Sequence, residues 1–222
     1  MTTTTDFDLC EEGPTRMPAK RDSTETNDTA ARILDIGERL VQVRGFNGFS
    51  YADVAAELDM TKAALHYHFP GKAELGRALI ERYTERFVAA LADIDERIAE
   101  APAKLDAYAD LYADVLRGQR MCLCGMLAAE YQTLPDPMRP AVIAFIDANE
   151  SWVEKVLSVG RRAGTIAVTG RAADAARLIV SGLEGAMLVA RPYGDIARFD
   201  TAAAGLLASF GAAAPASSGR DG

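Results

Sequence analysis

The chain has 222 residues, 49% of them apolar, with 24 basic and 32 acidic side chains and a formal net charge of −8. That length allows one or two domains and a sizeable core. No apolar run approaches the roughly 20 residues of a membrane span, the N-terminus lacks a basic-then-apolar secretion signal, and three oddly spaced cysteines make no disulfide scaffold; the expectation is a cytoplasmic protein with no membrane partner.

Abundant alanine and scarce β-branched alternation favour an all-α chain of about nine helices. Residues 1–27 carry four consecutive threonines, two prolines and scattered charges without periodicity, and read as a disordered tail. Arg16, Lys20 and Arg21 could form an arm toward a minor groove, although a solvated tail is the simpler reading. A first helix runs from Thr29 to Arg44, with Ile33, Leu34, Leu40 and Val41 inward, and Gly45 ends it. Ser50 with Asp53 three residues on makes a capping-box-like start, and Val54, Ala55 and Leu58 continue as one apolar stripe. Asp59 and Met60 form a turn, and Thr61 caps the next helix. There Leu65 and Phe69 point inward, while Thr61, Lys62, His66 and Tyr67 face out. A fourth helix from about Gly71 to Ala99 would span roughly 40 Å, long enough to join a small head to a separate body. Lys104–Arg117, Cys122–Leu134, a long helix opened by Pro140 and ended by Gly164, Ala172–Ala190 and Asp200–Phe210 complete the series. Residues 213–222 form a second small polar tail.

A bracing helix, a tight turn and a second helix that shows short polar and basic side chains suit a helix-turn-helix entering a DNA groove. The runs G-F-N-G-F-S-Y-A-D-V-A-A-E-L, M-T-K-A-A-L-H-Y-H-F and P-G-K-A-E-L resemble the DNA-binding domain of the tetracycline-repressor (TetR/AcrR) family of bacterial transcription regulators over about residues 29–80. Beyond them, the helix order is similar to the family's and C-L-C-G-M-L-A-A-E to one of its subgroups. Asp59 stands where the family usually has glycine, and aspartate tolerates a left-handed turn. His66 stands where the family more often has tyrosine.

The resemblance implies a helix-turn-helix DNA-binding domain over 28–73 and a helical ligand-binding and dimerisation domain over 74–212. It implies DNA contacts from Ser50, Tyr51, Thr61, Lys62, Ala63, Ala64, His66, Tyr67 and Lys72. Lys62 would meet a base edge or phosphate, and an alanine methyl could meet a thymine methyl. Ser50, Tyr51, Tyr67 and Lys72 would hold phosphates. His68 either joins them or packs beside Phe69. The acidic bulk charge does not oppose this, because DNA feels the local patch: residues 60–73 hold two lysines, two histidines and no acid.

An enzyme is disfavoured. Both histidines fall in the recognition helix, so none remains for a Ser-His-Asp hydrolase. No cluster has metal-ligand spacing and no glycine-rich loop cradles phosphate, so no catalytic residue, cofactor or metal is expected.

For the body, the resemblance implies a pocket within the fifth to eighth helices. Tyr108, Tyr112, Cys122, Met126, Glu130, Tyr131, Trp152 and Met187 are its candidate ligand-binding residues, with Leu111, Met121, Leu127 and Val156 more plausibly core. The three tyrosines and Trp152 each need a polar partner if buried. Glu130, in an apolar stretch, either faces solvent or marks a polar spot in the pocket. Cys122 beside Arg120 is a candidate sensor thiol; the alternative is that Cys122 and Cys124 are buried apolar residues. The last two helices, with Gly182, Gly185, Gly205 and Ala208, would pair across a two-fold axis through Leu183, Leu188, Leu206, Leu207 and Phe210. The expected function is a homodimeric transcriptional repressor that binds a palindromic double-stranded DNA operator and releases it on binding a small-molecule effector. The rivals are a regulator controlled by thiol modification at Cys122 and Cys124, and a helical protein-protein interaction module.

Overall fold

The structure, a computed structural model, describes residues 23–211, with side chains from residue 27. The expected arm of Arg16, Lys20 and Arg21, the tail cysteine Cys10 and the tail at 213–222 lie outside the described residues. Within them are nine α-helices: α1 Ser23–Arg44, α2 Tyr51–Leu58, α3 Lys62–His68, α4 Lys72–Arg97, α5 Ala101–Arg117, α6 Leu123–Ala129, α7 Arg139–Ala163, α8 Ala172–Ala190 and α9 Ile196–Ala208. Among the described residues β-pairing is limited to a single bridge between Ile166 and Gly211. None of these helices is long and apolar enough to cross a membrane.

The head is α1–α3. Ile33, Leu40, Val41, Val54 and Leu65 are essentially without exposure, and they form its centre with Phe46 and Phe49 from the connecting loop. Asp59 ends α2 in the left-handed conformation (φ 51°, ψ 44°), and Met60 closes the turn by donating to the Ala55 carbonyl at 3.0 Å. The aspartate thus holds the turn that the family gives to glycine. Thr61 Oγ1 then accepts from the Ala64 N–H at 3.2 Å and starts α3.

Helix α4 joins head and body. Its head end is clamped to α1, where Arg82 pairs with Asp35 at 2.8 Å and, together with Arg86, with the nearly buried Glu38. At Gly76 a β-carbon would come 2.5 Å from Met138 Sδ and 2.8 Å from Phe46, so glycine there permits α4 to lie tight against body and head at once. In the body, α8 packs between α7 and α9 while α5 crosses beneath, around Leu105, Val153, Leu157, Ile179, Leu183 and Phe199. The end of α9 is tied back by the Ala167 N–H donating to the Phe210 carbonyl at 2.9 Å.

Several ends differ from the sequence expectation. Helix α1 begins at Ser23, not Thr29, because apolar periodicity starts only at Ile33 and is silent about the first turns. Helix α5 starts three residues early, with Pro102 in its first turn. The expected sixth helix is shorter: α6 stops at Ala129, and Tyr131–Thr133 form a separate 3-10 turn. Helix α9 starts at Ile196, where Asp195 accepts from the Ala197 N–H at 3.0 Å.

Candidate nucleic-acid interface and body chamber

On α3, Thr61, Lys62, Ala63, His66 and Tyr67 are exposed and Ala64 is half-buried, while Leu65 anchors the opposite side. Tyr67 is 67% exposed. This gives one polar ridge with two methyl groups and a single ammonium, backed by a rigid core.

Four residues expected on the same surface are held by contacts within the head. The Lys72 ammonium donates to the Phe46 and Phe49 carbonyls, both at 2.5 Å, and lies 4.4 and 4.3 Å from their ring centroids. Burial lowers its pKa, against the pull of Glu130 and Asp53. Tyr51 donates its hydroxyl to the Phe69 carbonyl at 2.9 Å, and burial, reinforced by Glu74, pushes its pKa up to about 12. The His66 ring lies 4.8 Å from Tyr51, with Nδ1 3.0 Å from the Pro70 carbonyl. A carbonyl only accepts, so Nδ1 carries the proton and Nε2 is the atom left to face outward. Ser50 caps α2 jointly with Asp53: its N–H and hydroxyl reach Asp53 Oδ2 at 2.7 and 2.6 Å.

In the body, a chamber of about 290 Å³ opens between α6, α7 and α8. Of the eight expected ligand-binding residues it includes Met126. Tyr108 and Tyr112 are core instead: their hydroxyls meet at 2.9 Å, Tyr108 donates to Asn149 Oδ1 at 2.9 Å, and Asn149 donates to the Phe145 carbonyl. Their polar atoms satisfy one another and leave none for a ligand. Trp152 stacks on Tyr108 and donates to Asp95 at 3.2 Å. Tyr131 lies under Arg139, and Met187 is fully buried. Glu130 is half-buried and lies outside the chamber. It accepts from the Phe46 N–H at 2.5 Å and the Asn47 N–H at 3.2 Å, so it holds the head's first loop to the body. A second cleft of about 500 Å³ beside the α8–α9 connection is lined by Arg117, Arg120, Arg191 and Asp195. There Arg117 is paired with Asp114, and Arg191 donates to the Val43 carbonyl.

The thiols lie where the buried alternative, not the sensor reading, puts them. Cys122 and Cys124 are each 1% exposed, while Arg120 is exposed. Burial and the nearby Glu184 carboxyl push both thiols well up. The Gly125 N–H, 3.5 Å from Cys122 Sγ, opposes this weakly. A thiolate activated by Arg120 does not fit this site.

The profile of the bacterial regulatory proteins of the tetR family matches residues 33–79, and that of the tetracyclin repressor-like C-terminal domain matches 101–206. A TetR-family transcriptional regulator from Agrobacterium tumefaciens superposes with a TM-score of 0.82 and 30% identity, over 84% of this chain and 100% of that one. The chain belongs to the TetR family. Two curated relatives agree. The HTH-type transcriptional regulator TtgR of Pseudomonas putida is 35% identical over 66 residues, 30% of this chain and 31% of that one. The HTH-type transcriptional regulator LmrA of Bacillus subtilis is 26% identical over 170 residues, 73% and 86% of the two chains. The match to TtgR thus spans about a third of that relative's length. This TetR-family chain is a DNA-binding transcription regulator.

Two residues stand out in this TetR fold: Glu184 at the chamber, which sequence reasoning left without a role, and Glu130 at the head, which it had assigned to the pocket. The motif S-G-L-E-G held the first signal, since a lone acid among small residues on a buried helix needs a partner.

The buried thiols give a direct test. In a Cys10→Ser chain, Ellman's reagent at about pH 7.5 is expected to find far less than one reactive thiol per native chain, because raised pKa and occlusion act together. After denaturation it should find both remaining cysteines. Rapid reaction of the native protein would restore the thiol-sensor reading.

Proposed function

We propose that this regulator is a homodimeric repressor that grips a palindromic operator with two copies of α3 and lets go when a small molecule occupies the body chamber. One observation carries the reading: α6 links the two places. Gly125 and Met126 at one end line the chamber, and Glu130 just past its other end holds the Phe46 and Asn47 N–H groups of the head. A ligand that shifts α6 by a fraction of an ångström must disturb the loop that seats the recognition helix. Its effect on operator affinity then equals its differential affinity for the two arrangements.

In this reading Thr61, Lys62, Ala63, Ala64 and Tyr67 enter or border the groove, with Ser50 and His66 Nε2 at its edge. Lys72 and Tyr51 act by positioning the head. Dimerisation falls to α8 and α9: on α8, Leu178 and Val189 stand 56% and 63% exposed, and Leu188, at 61%, also lines the chamber; aliphatic groups bared at that density mark an association face.

The test is fluorescence anisotropy with a labelled duplex from the region upstream of the gene, against a scrambled duplex at equal salt. Binding is expected to prefer the upstream duplex and to fall steeply with salt. Lys62→Ala should weaken binding to all sequences and lower the salt slope by about one. Equal affinity for both duplexes, or a Lys62→Ala chain that binds like wild type, would sink the assignment.

A further inference from the structure

We infer that the chamber between α6, α7 and α8 takes a small organic cation, an amine or amidinium on an apolar body, whose charge is met by Glu184. The inference rests on the ligand-responsive reading above and names the chemistry of the same site.

The chamber wall is mostly apolar, with Met121, Met126, Phe145 and Val180 facing it, and its ionisable carboxyls are Glu150 on α7 and Glu184 on α8. Among the described residues no lysine or arginine lines it. Glu150 already holds Arg177 at 3.4 Å. Arg191 touches the Met126 sulfur at 3.4 Å, but its other nitrogen holds the Val43 carbonyl. Glu184 has no cation: burial drives its carboxyl above the usual carboxylate range, and the neighbour that opposes this is the Cys122 thiol.

A carboxyl kept in an apolar cavity without a counter-ion lowers the stability of the fold. Gly125 leaves the space it occupies, since a β-carbon there would come 2.3 Å from Glu184 Oε2. A cation entering the chamber would supply the missing charge, and the Phe145 ring would face its apolar or charged part. An anion would meet two carboxyls, and a neutral molecule would leave Glu184 as it is. The volume of about 290 Å³ is near the small end of ligand cavities.

The test is calorimetric titration of the full-length chain with three probes of one shape: 4-phenylbutylamine, 4-phenylbutan-1-ol and 4-phenylbutyrate. The amine is expected to bind about tenfold or more tighter than the alcohol, and the acid most weakly. Glu184→Gln should remove the amine's advantage while leaving the alcohol's affinity within about threefold. Equal affinity for amine and alcohol, absence of amine binding, or an unchanged amine advantage in Glu184→Gln would overturn the inference. If Glu184→Gln fails to fold, the order of the three probes on the natural chain decides alone. Adding labelled operator separates the two readings. Amine binding without release leaves the cation site standing and removes the release mechanism. Release by the alcohol with no preference for the amine does the reverse.

Discussion

A Val189→Arg chain is expected to run as a monomer and to lose operator affinity by two orders of magnitude or more. Val189 is 63% exposed on α8, with Leu188 and Leu178 nearby at 61% and 56%. Positions 178, 182, 185 and 189 share one helical face, and β-carbons built at Gly185 and Gly205 would meet nothing within 4 Å. That face is apolar and shallow, suited to a second helix pair approaching closely. An arginine set into it would be buried without a partner, at a cost of several kcal/mol. A monomer keeps one recognition helix and loses the gain from engaging two half-sites together, which is on the order of 10²–10⁴ in affinity. Sedimentation velocity and anisotropy on full and half operators would check both parts. A Val189→Arg chain that stays dimeric and binds normally would remove α8 from the interface.

The second large effect is at Gly45. Its φ of +82° is left-handed, and a β-carbon there would stand 2.8 Å from Glu130 Oε1. Gly45→Ala therefore suffers twice. The backbone conformation alone costs roughly 1–2 kcal/mol. The displaced Glu130 would also abandon the Phe46 N–H, and Phe46 is buried; an unpaired buried donor costs about 1–3 kcal/mol. Glu130→Ala alone should show the second loss without the first. In the double variant the clash disappears and the unpaired donor counts once, so urea unfolding should give a sum about 1–3 kcal/mol short of additive. Full additivity would mean that Glu130 does not constrain the loop. Glu130→Ala should also retain operator binding while the chamber ligand's effect on it shrinks, measured as the ratio of dissociation constants with and without ligand.

The head was legible in the sequence because its signals are local. Ser50 with Asp53, the left-handed Asp59 and Thr61 as cap each act on partners within four residues. Lys72 was misleading for the opposite reason. Its position resembles a phosphate contact, yet Phe46 and Phe49, over twenty residues upstream, capture its ammonium. The body was legible as helices but not as a site. Apolar spacing places Tyr108 and Tyr112 on an inward face without saying whether that face meets a cavity or Asn149, 41 residues beyond Tyr108. Glu130 was read as facing solvent or marking a polar spot in the pocket, but it meets the Phe46 N–H, 84 residues away in the head. Glu184 drew no reading at all, since periodicity gives the azimuth of a side chain and not what stands opposite.

Helix α4 has a mechanical meaning. Its 26 residues make a rod of roughly 39 Å, and the clamp of Arg82 and Arg86 on Glu38 makes the head ride on it. Tilting such a rod by about 5° about its body end swings the head by roughly 3.4 Å, and in the proposed dimer two-fold symmetry would double that to about 7 Å between the two heads. The recognition helices of a dimer must match a groove repeat of roughly 34 Å. The gear ratio therefore favours the small event: a few tenths of an ångström where α4 meets the body becomes a fifth of a DNA turn at its tip.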